Sequence, residues 1–235
     1  MSFSHHQENS SSPQGLAVII VAAGSSRRMG FDKLLASLAG KPVLQLSIEA
    51  FLNCNDVSEI VVVCPEDRFK ALDIHYTGKT IRRIDGGVDR HDSVAAGLSL
   101  LNENHGIPPA YIAVHDGARP LICPSQISRV YHDAHLHRCS TSARPITETV
   151  KRVDSDAFVT EAVDRENLWL METPQIFEAE LLQQAYSAVL AQGTRVTDEV
   201  SALELTGHPT HLVSNPGPNP KITFPHDIVL AEKFV

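Results

Sequence analysis

The chain has 235 residues, 43% of them hydrophobic, and a formal charge of −8 at pH 7. A chain of that length and apolar content can bury a substantial core, which argues against disorder. Its acidity argues against a nucleic-acid-binding surface, so an anionic ligand would need a local basic site within an acidic protein.

Residues 1–14 are polar, rich in Ser and His, and lack the apolar centre of a signal peptide. They read as a disordered tail or a leader ahead of a single domain over residues 15–235. Leu16 to Val21 (LAVIIV) is a short, β-branched apolar run, the pattern of a strand buried on both faces of a parallel sheet. A loop follows, AAGSSRRMGFDK, and Pro42 then opens a helix with Leu44, Ile48, Phe51 and Leu52 on one face. Glu59 to Cys64 is a second buried strand, with Cys64 in the core. A short helix is expected near Asp67 to Leu72, a weaker strand at Ile81 to Asp85, and a helix at Ser93 to Leu101. Ala110 to His115 is another strand, and a helix follows near Ser125 to His135. Strands alternating with helices imply βαβ units and a mainly parallel sheet. Ligands on such sheets bind beyond the carboxyl ends of the strands, where the loops after Val21 and His115 lie.

The segment from Glu148 to Arg165 differs. TVKRV and FVTEAV flank the turn residues DSDA, a β-hairpin signature. An isolated hairpin is marginally stable, so a second subunit is a natural surface for it. Helices near Glu178 to Ala191, Asp198 to Leu205 and His226 to Phe234, with a strand at Thr210 to Val213, complete the pattern. No apolar run approaches the roughly 20 residues of a membrane span. The four cysteines form no C-x-x-C pair, which leaves zinc and thioredoxin-like readings without support and suggests a reducing compartment.

Four constellations could carry chemistry. In AAGSSRRMG with Asp32 and Lys33, small residues directly after a buried strand let backbone N–H groups approach a ligand. Arg28 and Lys33 add positive charge there, although the motif is neither a Walker A loop nor G-x-G-x-x-G. The plainer reading is an ordinary loop with solvated basic residues. In Asp85-Gly86-Gly87 and Arg90-His91-Asp92-Ser93, the Gly pair makes a tight turn and Ser93 is a candidate helix cap. In His115-Asp116-Gly117-Ala118-Arg119, Asp116 ends a strand where one carboxylate plus phosphate oxygens can hold Mg²⁺, while His115 reads as structural. The last group is scattered: Thr149, Lys151, Arg165, Thr173, Thr197, Asp198, Glu199 and Lys221. Within it Thr197 reads first as an N-cap and Lys221 as surface. His132, His135 and His137 in YHDAHLHR offer a further, weaker metal pattern.

Taken together, AAGSSRRMG with Lys33, IDGGVDRHDSV, VHDGARP, TVKRV, VDRENLW, TPQIF, TDEVSALE and PKITFP resemble, in order, the 2-C-methyl-D-erythritol 4-phosphate cytidylyltransferase family. The resemblance implies a Rossmann-like α/β fold and a homodimer joined by an arm at about residues 145–168. It implies that Ala22, Ala23 and Gly24 line the nucleotide site. Gly87 and Ser93 would contact cytosine and ribose, and Arg28 and Lys33 would stabilise the charged phosphorus centre. Asp116 would bind Mg²⁺ and substrate with Arg119 nearby, while Thr149 and Arg165 reach from the partner's arm. Thr173, Thr197 and Asp198 would complete the acceptor pocket, with Lys221 beside the phosphates as a third catalytic cation. The implied reaction is attack of a phosphate oxygen on the α-phosphorus of CTP with loss of pyrophosphate, in non-mevalonate isoprenoid precursor biosynthesis. The chain is accordingly expected in the cytoplasm, or in the plastid of a plant-type source, with no nucleic-acid or membrane partner. It departs from the family pattern in a shorter loop between Met29 and Lys33, in Asp32 where proline is common, and in Gly117 where alanine is common. Asp32 is expected to offset part of the Lys33 charge. Rivals are a cytidylyltransferase for another polyol phosphate such as ribitol 5-phosphate, a molybdenum-cofactor guanylyltransferase-like enzyme, and a non-catalytic nucleotide-sensing subunit.

Overall fold

The computed structural model describes residues 15–26, 29–75, 78–103 and 108–235. The tail expected over 1–14 and the candidate Arg28 lie outside the described residues. Strand β1 (Leu16–Val21) is buried at every position except its last, as its unbroken apolar run requires. After a minor hairpin, β2 (Ser37–Leu38) and β3 (Lys41–Pro42), helix α1 (Val43–Leu52) leads into β4 (Val57–Val63). The short α2 (Glu66–Lys70) precedes β5 (Thr80–Ile84), and α3 (Arg90–Asn102) precedes β6 (Tyr111–Asp116). Helix α4 (Pro124–His137) runs into β7 (Cys139–Pro145), and the hairpin β8 (Val150–Val153) and β9 (Val159–Val163) follows. The chain then forms β10 (Trp169–Glu178), α5 (Ala179–Gln192), α6 (Glu199–Glu204), β11 (His211–Ser214) and α7 (Pro225–Ala231).

Seven of these strands form one sheet in the order β11-β7-β10-β6-β1-β4-β5. The β1, β4, β5 and β6 pairings are parallel, as is β11 with β7, whereas β10 runs antiparallel to both β6 and β7. The sheet is therefore mixed, a parallel half extended by one reversed strand. Alternate residues of β1 feed two cores because side chains alternate across a strand. Val18 and Ile20 pack in the layer containing Leu44, Ile48, Phe51 and Ile127. Ala17 and Ile19 pack in the layer containing Val94, Leu98, Leu182 and Ala185. No helix among the described residues is long and apolar enough to cross a membrane.

Two strands of the seven-stranded sheet have no counterpart among the expected elements. The buried centre of β7 is Ser140, Thr141 and Ser142, so it lacks an apolar pattern; its hydroxyls are satisfied instead. Ser140 Oγ donates to Asp133 at 2.5 Å and Ser142 Oγ to Glu172 at 3.2 Å. In β10, Pro174 interrupts the pattern, and the pairing to β7 shifts register between Met171 and Gln175. Two expected caps also move. Asp89, not Ser93, precedes α3, and the Asp92 carboxylate accepts from the Asp89 N–H at 2.9 Å. Asp198, not Thr197, caps α6 by accepting from Ser201 N–H at 3.0 Å.

Candidate active site

The parallel half of the sheet reverses winding direction at β1, which pairs with β4 on one side and β6 on the other, and a crevice opens at the carboxyl ends of those strands. Ala22 N–H bonds to Val63 O and Gly117 N–H to Val21 O, both at 2.9 Å, so the loops after β1 and β6 leave side by side. The turn after β5 closes in from the flank. A Cβ on Gly86 would lie 2.3 Å from the Cβ of Ala23, and one on Gly87 would lie 2.2 Å from the Cβ of Asp92, so only glycine permits this approach. Together the loops wall a cavity of about 790 Å³. Its lining includes Ala22, Ala23, Gly24, Lys33, Gly87, Ser93, Asp116 and Lys221. Each nucleotide-site residue read from the sequence therefore borders one space.

A second cavity of about 290 Å³ contains Arg119, Thr173, Thr197 and Asp198 in its wall and shares Arg90, Asp116 and Lys221 with the first. The C-terminal loop brings Lys221 there. Ile222 N–H bonds to Ala118 O at 2.8 Å, Arg119 Nη1 donates to Asn219 O at 2.7 Å, and Asn219 Nδ2 donates to Thr173 O at 2.9 Å. Lys33 Nζ donates to the carbonyl of Ile222 at 2.6 Å, which ties the nucleotide loop to the same segment.

Asp116 is the electrostatic centre. Lys221 Nζ lies 2.9 Å from its Oδ2, Arg119 Nε 3.5 Å from Oδ2, and Arg90 Nε 3.3 Å from Oδ1. Burial alone would raise its pKa, but Arg90, Lys221 and Arg119 hold the carboxyl well below the usual carboxylate range. Its backbone N–H donates to Thr173 Oγ1 at 3.1 Å. A buried anion wrapped by cations leaves a net positive surface for phosphate groups.

The family model for IspD, 2-C-methyl-D-erythritol 4-phosphate cytidylyltransferase, matches residues 16–235. The chain belongs to the 2-C-methyl-D-erythritol 4-phosphate cytidylyltransferase family. The relative of that name from Caldanaerobacter subterraneus subsp. tengcongensis is 37% identical over 227 residues, spanning 94% of this chain and 98% of that protein. A chloroplastic relative from Oryza sativa subsp. japonica is 32% identical over 94% of this chain and 75% of its own length. Among solved structures, the Francisella tularensis enzyme superposes with a TM-score of 0.80 at 28% identity, covering 94% of this chain and 100% of that one. The family is one of nucleotidyltransferases, which generally work with a divalent cation.

Several residues that support this cytidylyltransferase site were given no role in it from the sequence, although Arg90 and Glu199 stand in the constellations named there. Arg90 grips Glu199 with two hydrogen bonds, at 2.6 and 3.0 Å, while also facing Asp116. Tyr186 donates to the same Glu199 at 2.9 Å, and Gln175 Oε1 accepts from Glu199 N–H at 3.1 Å. Buried Glu172 accepts from Asn215 and Asn219 at 2.9 and 3.0 Å and so anchors the loop that carries Lys221. The only advance signals were the charges of Arg90 and Glu199 inside the quoted family motifs. Asp32 has a partner the sequence did not suggest. Its carboxylate bonds Arg68 Nε at 2.8 Å and Leu34 N–H at 3.0 Å. It therefore answers the Arg68 charge as well as lying beside Lys33.

Thr149 and Arg165 line neither cavity in a single copy. Both are exposed near the hairpin, and Arg165 Nη1 donates to the carbonyl of Thr147. The weak metal pattern of His132, His135 and His137 does not converge. His135 packs against Tyr111 and Tyr131, His132 lies 3.7 Å from Asp56, and His137 stacks on His211 beside Asp133.

His115 is structural, as expected. It is fully buried, edge-on to Phe51, with Nδ1 3.0 Å from Thr173 Oγ1 and Nε2 3.2 Å from Arg119 O. Burial pushes its pKa down to about 3, against the opposing pull of Asp116. Between about pH 6.5 and about pH 3 the unfolded chain would hold a proton that the folded one excludes, so this group removes stability as pH falls through that window. Urea unfolding should show wild type losing stability more steeply than a His115→Gln variant as pH falls from about 6 to about 4, by on the order of 1 kcal/mol per pH unit. Parallel pH profiles would contradict it.

Proposed function

We propose that the chain transfers a cytidylyl group from CTP to 2-C-methyl-D-erythritol 4-phosphate, releasing pyrophosphate, as the names of its relatives describe for those proteins. The observation that carries this reading is the pair of adjoining cavities with a common wall of Asp116, Arg90 and Lys221. The larger suits a nucleoside triphosphate on small-residue loops; the smaller, rich in hydroxyl, carboxylate and guanidinium groups, suits a polyol phosphate. A phosphate monoester is already an anion near neutral pH, so no general base is required. Catalysis is then alignment of the phosphate oxygen with the α-phosphorus and stabilisation of the growing charge. Arg28, Lys33 and Lys221 would supply that positive charge. Ala22, Ala23 and Gly24 would border the nucleotide, and Gly87 and Ser93 its base and ribose. Arg119, Thr173, Thr197 and Asp198 would hold the acceptor.

The donor set also fits Mg²⁺. Asp116 lines both cavities, and a hard cation held mainly by phosphate oxygens needs only one or two carboxylates. When bound, the ion would neutralise phosphate charge, with Asp116 as its protein ligand. The setting we infer is the cytoplasm, or the plastid for a plant-type source. The direct test is pyrophosphate release with CTP against a panel of polyol phosphates. Release confined to 2-C-methyl-D-erythritol 4-phosphate is expected; preference for ribitol 5-phosphate, or for GTP, would overturn the assignment.

We further propose a homodimer whose arms, at about residues 145–168, complete each other's acceptor sites. The hairpin forms a two-stranded sheet of its own and exposes Val153, Phe158 and Val159, a poor arrangement for an isolated hairpin. Thr149 and Arg165 would reach the partner's acceptor. If so, inactive Arg165→Ala and Lys33→Ala subunits should complement each other, because a mixed dimer holds one site with both lesions and one with neither. Random mixing should restore about a quarter of wild-type sites in a two-fold assembly. A mixture that stays inactive despite demonstrated subunit exchange would assign Arg165 to its own subunit.

A further inference from the structure

We propose that Arg68 is a positioning residue for the nucleotide: its buried guanidinium staples both ends of the loop after β1 and so sets where Lys33 stands. The proposal rests on the reading that the larger cavity takes CTP. Arg68 lies on α2, after β4, with 8% of its surface exposed. Its Nε bonds Asp32 Oδ2 at 2.8 Å, its Nη2 donates to Gly24 O at 3.3 Å, and its Nη1 donates to Ala22 O. Ala22 and Gly24 begin the loop and border the cavity; Asp32 ends it, directly before Lys33.

The chemistry explains why an arginine stands here. Three acceptors around one planar group match a guanidinium fork, and a lysine ammonium cannot reproduce that geometry. Carbonyl and N–H point in opposite directions across a trans peptide. Turning the carbonyls of Ala22 and Gly24 toward Arg68 therefore turns the N–H groups of Ala23 and Ser25 away from it, and both of those residues border the cavity. Arg68 would thus orient backbone dipoles toward a phosphate chain while Asp32 holds the root of Lys33. A buried cation is not an economical way to stabilise a fold. Its three bonds all serve the loop.

The test uses the full-length enzyme and reads CTP affinity by calorimetry together with KM for each substrate and kcat. Arg68→Met should weaken CTP binding by about tenfold or more while the KM for the acceptor changes less than about twofold. Arg68→Lys should recover only part of the affinity, because it keeps the Asp32 pair without the two carbonyls. Asp32→Asn should weaken CTP binding in the same direction, and the double variant should lose less than the product of the two singles. Should Arg68→Met fail to fold, Asp32→Asn and Arg68→Lys carry the test. CTP affinity equal to wild type in folded variants, or equal losses for both substrates, would overturn the role of Arg68 while leaving the cytidylyltransferase reading intact. Failure of wild type to bind CTP would overturn both.

Discussion

Lys33→Ala should reduce turnover by about a hundredfold or more while changing the KM for CTP only a few-fold. Lys33 stands in the wall of the nucleotide cavity, its Nζ 2.6 Å from the carbonyl next to Lys221. A triphosphate already carries much of its charge in the ground state. The share that develops at the α-phosphorus and on departing pyrophosphate appears only in the transition state. A cation placed for that share acts on kcat more than on binding. Steady-state kinetics with both substrates varied would check this, with Lys33→Arg expected to retain part of the activity through its charge. Near-normal turnover in Lys33→Ala would remove Lys33 from the chemistry.

Asp116→Asn should be damaging twice over. Its carboxylate is met by Arg90, Arg119 and Lys221. A neutral amide would leave these cations crowded without their shared anion. Arg90 retains Glu199 and Lys221 is partly exposed, which softens the loss, so about 3 kcal/mol of stability should disappear. For a chain of this size that lowers Tm by on the order of 10 °C. Activity should fall and the Mg²⁺ requirement should rise, because an amide is a poorer ligand for a hard cation. Thermal melts and pyrophosphate release over a Mg²⁺ series separate the two effects. An unchanged metal dependence alongside lost stability would leave Asp116 a purely structural role.

The parallel half of this fold was legible because its strands are buried on both faces. LAVIIV and EIVVVC cannot be anything cheaper than inner strands, and the loop after the first carries small residues and Lys33 of the cavity wall. The other half was not. β7 buries hydroxyls in place of aliphatics, and their partners, Asp133 and Glu172, are fixed only once the chain has folded. β10 hides behind its proline. The site divides in the same way. Lys33 and Asp116 stand out by charge in loops that follow buried strands, whereas Lys221 reads as surface and enters only through its place in the ordered family motifs. Arg68 sits in an ordinary amphipathic turn, and nothing local says that it reaches 36 residues back to Asp32. Glu199 reads as a helix-favouring acid at the start of α6, yet it is fully buried as the counter-charge of Arg90. Such residues are defined by what they hold, and that information is tertiary.

The reversed strand β10 has an architectural effect beyond pairing. Because it runs antiparallel to β7, its first residue lies beside the last of that strand, Trp169 opposite Pro145, and further along Gln175 lies opposite Val114 of β6. The chain therefore departs and re-enters the sheet at one rim, the same rim that carries the loops after β1 and β6. Whatever lies between residues 145 and 169 extends from that rim, outside the seven-stranded ladder. The attachment is thereby topologically separate from the scaffold: its length and shape can change while the seven-stranded sheet stays intact.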